Sequence, residues 1–189
     1  MAYLSSNASV IGYFLEHAIL RSIVTAGVPC LDIIGPMPQI VFQDFPSYNL
    51  THEKALYVPE AYNFPAIDAV LLYLNHREKT AQLFPIQVTI QKTHRSSEEQ
   101  FFNNWSFWSG SLGEYGEYKI TVTFIWVTSD QEFKRRSQGE KLRKLRDGSE
   151  KVVHPNYDSI FIPLNEVSSR VWKRYVEIKE LQQELLLAN

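Results

Sequence analysis

Apolar positions along the chain follow two rhythms, and the changes between them mark out the elements. Over residues 8–26, ASVIGYFLEHAILRSIVTA, Ile11, Leu15, Ala18, Ile19 and Ile23 stand at helical spacing, with Asn7 or Ser9 placed to cap the start and Gly27 following the end. Residues 28–63 carry Pro29, Pro36, Pro38, Pro46 and Pro59, which leave room only for short strands such as 39–43 and 56–58 between turns. Segments 66–74 (AIDAVLLYL) and 83–91 (LFPIQVTIQ) have strand length and composition and are separated by the charged NHREKT, so they are expected to be neighbours. Residues 96–108, SSEEQFFNNWSFW, predict one helix with an acidic first turn and Phe101, Phe102, Trp105 and Trp108 on a core-facing side. KITVTFIWVT, 119–128, is an apolar, β-branched run suited to a central strand covered on both faces. After a polar and strongly charged stretch from 130 to 151, residues 157–164 read as another short strand. Residues 165–188 repeat Val167, Val171, Tyr175, Ile178, Leu181 and Leu185 at three and four residue intervals, a long amphipathic helix with Asn165 at its start. Helix, strands, helix, strand, strand and helix in that order predict an α/β sandwich around a mixed sheet.

Composition narrows the class without changing that picture. A chain of 189 residues with 44% hydrophobic and 21% charged residues is expected to form one domain, 1–189, with a well-buried core. Cys30 is the only cysteine, which excludes an internal disulfide and any cysteine-based zinc cluster. No window approaches the roughly 18 apolar residues of a membrane span, and MAYLSSNAS lacks the basic start of a secretory signal. The net charge of −2 argues against nucleic-acid binding by bulk attraction. Its distribution is uneven, however. Lys134, Arg135, Arg136, Lys141, Arg143, Lys144 and Arg146 fall within thirteen residues beside one acid, Glu140, so this piece carries about +6 and the remainder about −8. Such a cluster can neutralise phosphates in a salt-dependent, sequence-independent way; its bland alternative is a solvated segment.

The candidate chemistry lies in polar residues where a core is expected. Asp68 sits in a strand-like apolar run, so it must be paired, bound to a cation, or placed at the sheet edge where a cleft opens. Period two puts Gln87, Thr89 and Gln91 on one face of the following strand, and strands lie only about 4.8 Å apart, so Asp68 and that row can converge. Convergent oxygens are what a hard cation such as Mg²⁺ selects. Glu16, beside the apolar stripe of the first helix with Gly12 one turn earlier, is the second candidate carboxylate. Taken alone, Asp68 reads as a strand-end aspartate that caps a turn or pairs with a lysine, Glu16 as a solvated helix residue, and the 101–108 aromatics as core rather than a base-stacking surface.

A glutamate on the first helix, an aspartate on a strand, then a hairpin into a strand carrying (Asp/Glu)-x-Lys resembles the PD-(D/E)XK restriction-endonuclease-like superfamily, with Glu16, Asp68 and Gln87-Val88-Thr89 at the matching positions. FPAIDAVLL, LFPIQVTIQKTH, HPNYDSIFIPL and the closing VWKRYVE look more specifically like the effector domain of Crinkler and retrotransposon hot spot proteins, over roughly residues 10–188. The resemblance implies a restriction-endonuclease-like sandwich and hydrolysis of DNA phosphodiesters. Mg²⁺ or Mn²⁺ would be held by Asp68, Gln87 and Glu16, with Thr89 and His94 beside it, and Lys92 and the 134–146 bases would contact the backbone. It also implies a secreted effector acting in a host nucleus. The pattern's lysine is replaced by Thr89, which can hold a water but carries no charge. A catalytically silent nuclease fold that binds nucleic acid or a host protein is therefore the alternative expectation. The leucines before the C-terminus offer a seam for a homodimer.

Overall fold

The computed structural model describes residues 8–61, 64–90, 97–113, 118–129, 132–144 and 150–187. Helix α1, Ala8–Ala26, opens the chain and buries Ile11, Leu15, Ile19, Leu20 and Ile23 along one stripe. Gly27 ends it at φ +83°, where a Cβ would meet the carbonyl oxygen of Ile33 at 1.9 Å, so only glycine can make this turn. The turn leads into a two-stranded ribbon, β1 (Gly27–Val28) with β2 (Ile33–Ile34).

Among the described residues seven strands then form a mixed sheet. Strands β3 (Gln39–Phe42), β4 (Lys54–Pro59), β5 (Ala69–Asn75), β6 (Thr80–Thr89) and β7 (Lys119–Thr128) are followed by β8 (Lys134–Gln138), a small hairpin of β9 (Lys141–Lys144) with β10 (Glu150–His154), and β11 (Tyr157–Pro163). The sheet order is β3-β4-β5-β6-β7-β11-β8. Pairing is parallel at β3/β4, β6/β7 and β7/β11, and antiparallel at β4/β5, β5/β6 and β11/β8. β6 is central yet contains Pro85. Its ladder to β7 has a gap between the Leu83–Val122 and Ile86–Ile125 pairs, as the missing proline N–H requires.

Two apolar layers cover the sheet. Helix α1, the short α4 (Leu164–Val167) and α5 (Ser169–Leu187) pack on Leu56, Val58, Leu71, Ile86, Ile125, Val127 and Ile162. Helices α2 (Ser97–Asn103) and α3 (Trp105–Gly113) pack Phe101, Phe102, Trp108 and Leu112 on Tyr57, Leu72, Leu83, Phe124 and Trp126. The alternation is strict along β5, with Ala69 and Leu71 on the first face and Val70, Leu72 and Leu74 on the second. This is the mixed α/β sandwich with N-terminal and C-terminal helices that the hydrophobic pattern predicts, and β7 is central and apolar as expected.

Several local expectations change, each for a physical reason. The 96–108 helix is two helices broken at Asn104, whose carbonyl accepts the Phe107 and Trp108 N–H groups and so starts α3. Asn165 does not cap the last helix. It lies inside α4, and Ser168, with extended backbone (φ −157°, ψ 104°), breaks the run and caps α5 through its Oγ, which accepts from the Val171 N–H. The charged 130–151 stretch contributes β8 to the sheet edge, since the exposed backbone of β11 supplies a partner ladder whatever the side chains, and lysines and arginines suit an exposed edge.

Candidate functional site

The geometry begins at the N-terminal end of β5. Asp68 is the residue just before the first paired position, and its N–H donates to Ile86 O at 2.8 Å, extending the ladder by one bond. Beyond that point the strand has no further backbone to offer β6, and the Asp68 side chain takes over the role. Its Oδ2 accepts the Val88 N–H at 2.6 Å and the Gln87 Nε2 at 2.8 Å. Asp68 and Gln87 therefore meet across the hairpin, as the period-two reading requires. Parity along β6 puts Gln87 and Thr89 on the α2–α3 face, since Phe84, Ile86 and Val88 pack toward α1 and α5.

Glu16 reaches the same carboxylate from the other layer. Asp68 and Glu16 line one cavity of about 90 Å³ together with Tyr13 and His17 of α1, Glu60 at the end of β4, and Phe64. Gly12, one turn before Glu16, has open space around it. Burial of the Asp68 carboxyl, then the negative charge of Glu16, push its pKa up to about 8, against which the Val88 and Gln87 hydrogen bonds pull downward. Burial also raises Glu16. Neither Lys nor Arg is among the residues lining the cavity. Three acids, Asp68, Glu16 and Glu60, thus line one cavity with no lysine or arginine beside them, an arrangement costly in itself and characteristic of sites that bind metal or move protons.

The donor set fits a hard divalent cation in kind: both Asp68 hydrogen bonds fall on Oδ2, leaving Oδ1 for another ligand, and Glu16 is free of hydrogen bonds and ion pairs among the described residues. Gln87 turns its nitrogen, not its oxygen, to Asp68 and is not among the residues lining the cavity; its contact is one that orients the carboxylate. No group of three or more His, Cys, Asp or Glu side chains arranged to hold a metal occurs among the described residues. Thr89 is buried in β6, level with Thr128 of β7. Lys92, His94 and Arg146 lie outside the described residues.

The basic segment lies at the far edge of the sheet. Lys134, Arg135 and Arg136 are exposed on β8, and Lys141, Arg143 and Lys144 are on β9. Two of them are paired, Arg135 with Asp158 and Lys134 with Glu132, and Arg136 sits over the Phe161 ring at 5.1 Å from its centroid. The register carries straight across: Gln87 opposes Trp126 of β7, Trp126 opposes Phe161 of β11, and Phe161 opposes Lys134. β8 thus stands level with the Asp68–Gln87 pair, three strands or about 14 Å from β6.

Tyr13, His17 and Glu60 were not anticipated as neighbours of the site. Positions 13, 16 and 17 share a helical face at i, i+3 and i+4, a signal present in the sequence; Glu60 arrives through the parallel pairing of β3 with β4, where its N–H donates to Phe42 O at 2.7 Å, and nothing local announces it. Among the described residues no helix is long and apolar enough to cross a membrane. No protein-family model, curated protein or solved structure matches the chain.

Proposed function

We propose that the chain is a nucleic-acid-binding, metal-dependent nuclease-like domain acting on DNA phosphodiesters, in line with its resemblance to the PD-(D/E)XK superfamily and the Crinkler and retrotransposon hot spot effectors. One observation carries the reading: the aspartate at the entry to β5 and a glutamate of α1 share a cavity lined by no lysine or arginine, and the aspartate is fixed by a side chain and an amide of the adjoining strand. Mg²⁺ or Mn²⁺ bound there would supply Lewis acidity toward a phosphate oxygen and favour the ionised form of a bound water. Asp68 and Glu16 would hold the ion, and Gln87 and the Val88 N–H keep the Asp68 carboxylate turned to it. Lys134, Arg136 and Lys141 would position the backbone along the edge level with the site. Secretion and action in a host nucleus belong to the same proposal and rest on the resemblance.

The test is cleavage of a fluorescence-quenched duplex with Mg²⁺ or Mn²⁺ by the wild type and by Asp68→Ala. The variant should lose at least about 10–100-fold, the loss usual for residues around a catalytic metal. Equal activity in the two proteins removes the proposal. The absence of lysine and arginine from the cavity lining favours a second reading, a fold of this class that binds nucleic acid or a host protein without cleaving. It predicts no rise in melting temperature with Mg²⁺, whereas an ion bound only to the native state must raise it by mass action.

A further inference from the structure

The hairpin of β9 with β10 stands outside the seven-stranded sheet, a separate antiparallel ribbon of two strands. Its root is fixed. Just before β9 the Glu140 N–H donates to Asn156 Oδ1, just after β10, at 2.6 Å, and His154 packs on the rings of Phe102 and Tyr157 at 5.3 and 5.2 Å. Beyond that root Lys141, Leu142 and Val152 are exposed. A two-stranded hairpin is marginally stable at best in water, so a ribbon that leaves its apolar pair in solvent does little to hold itself together.

Two neighbouring cross-strand pairs of this ribbon are unfavourable where they stand. Leu142 and Val152 are directly opposite in the register and so share a face, yet they are 46% and 38% exposed. The next pair sets Arg143 opposite Lys151, two positive charges whose juxtaposition destabilises a free ribbon. An anion beside the second pair and an apolar surface against the first would offset both. Lys141 and Lys144 begin and end β9, and β8, which leads into the hairpin, carries Lys134 and Arg136 level with the carboxyl site. The major groove of duplex DNA offers the required combination, phosphate rows along its rims and thymine methyl groups on its floor.

We infer that the β9–β10 ribbon lies in the major groove of B-form DNA, with Leu142 and Val152 against thymine methyl groups and its lysines and arginines serving the phosphates. The inference rests on the DNA-binding part of the reading above and names the element and the groove. Dimensions agree with it. Strands lie about 4.8 Å apart and the major groove is about 12 Å wide, so each strand runs about 4 Å from a phosphate row, within reach of a lysine or arginine. The minor groove, about 6 Å wide, excludes a ribbon, and the major groove of A-form RNA is too narrow for side chains to read. An anionic membrane would attract the same charge, but two apolar side chains fall far short of the apolar face that an interfacial element buries.

The experiment is fluorescence anisotropy of the full chain in EDTA, so that cleavage does not enter. The probes are a short A·T-rich DNA duplex, the same duplex with deoxyuridine for thymidine, and its RNA counterpart. Wild type should bind the first, bind the second about fourfold more weakly, the equivalent of one buried methyl group lost, and bind RNA most weakly of all. Leu142→Ser with Val152→Ser should bind the two DNA duplexes equally. Arg143→Ala with Lys151→Ala should weaken both alike and lower the salt slope by about 2. That second variant should also raise the melting temperature of the free protein by relieving the like-charge pair, so its loss of affinity is not a loss of fold. Absence of DNA binding, equal affinity of wild type for thymine and uracil duplexes, equal affinity for RNA, or unchanged binding by both variants overturns the inference. So does tighter binding to phosphatidylserine vesicles than to DNA. DNA binding that ignores the hairpin strikes the ribbon and leaves the carboxyl site standing, whereas equal cleavage by wild type and Asp68→Ala strikes the site and leaves the ribbon.

Discussion

Glu98 and Asp68 are two half-buried carboxyl groups beside the same sheet, and they are treated in opposite ways. Glu98, in the first turn of α2, accepts from Trp126 Nε1, Tyr157 Oη and Ser159 Oγ, each at 2.8 Å. Burial and the neighbouring carboxylate raise the Tyr157 phenol, so it remains a donor. Asp68 has two donors, both on one oxygen, and a second carboxylate for a neighbour. A charge supplied with three donors locks helix, β7 and β11 together; a charge left short of partners has affinity to spare for a cation, a proton or a substrate. The difference separates a structural carboxylate from a chemically available one.

Neutralising the two without changing their shape should therefore act in opposite directions. Glu98→Gln keeps the side-chain length but sets an amide nitrogen against donors, and is expected to cost about 1.5–3 kcal/mol in urea unfolding. Asp68→Asn removes a strained charge and should raise stability at pH 8. Losses of equal size in both would erase the distinction.

The pH profile sharpens it. An acid whose native pKa of about 8 exceeds its ordinary value near 3.8 holds its proton more tightly in the folded state. The Asp68 contribution is therefore fully present below about pH 4 and is lost as pH rises to about 8, with a slope of at most about 1.4 kcal/mol per pH unit. Urea unfolding of wild type minus Asp68→Asn across pH 4–9 should show this decline. A flat difference would mean that Asp68 ionises normally. Saturating Mg²⁺, on the nuclease reading, should reduce the decline, since the ion competes with the proton. The smallest effect concerns the helix that delivers Glu16. Gly12→Ala enters open space and should add about 0.4–1 kcal/mol in the same assay while leaving the Asp68 profile intact.

Much of the fold was legible. The α1 stripe from Ile11 to Ile23 and the apolar run of β7 are repeated signals over ten or more residues, each averaging over many contacts. The break at Asn104 and the shift of the cap from Asn165 to Ser168 were not, because each rests on one or two local hydrogen bonds whose competitors are equally plausible in sequence. Within the site, the Asp68–Gln87 meeting followed from hairpin register, whereas the turn of the Gln87 nitrogen toward Asp68 depended on the extra Val88 bond to the same oxygen.

What local order dictated, then, was the set of elements and the face each one buries, since periodicity at two or at 3.6 residues is a property of neighbours along the chain. Three-dimensional packing decided the rest. It brought Glu98 to Tyr157 and Ser159 some sixty residues later, placed β8 level with the Asp68–Gln87 pair, and left the Trp108 indole without an acceptor among the described residues. Such pairings depend on strand order and on which layer a helix joins, and the hydrophobic effect that drives the layers together is indifferent to which polar groups it brings into contact.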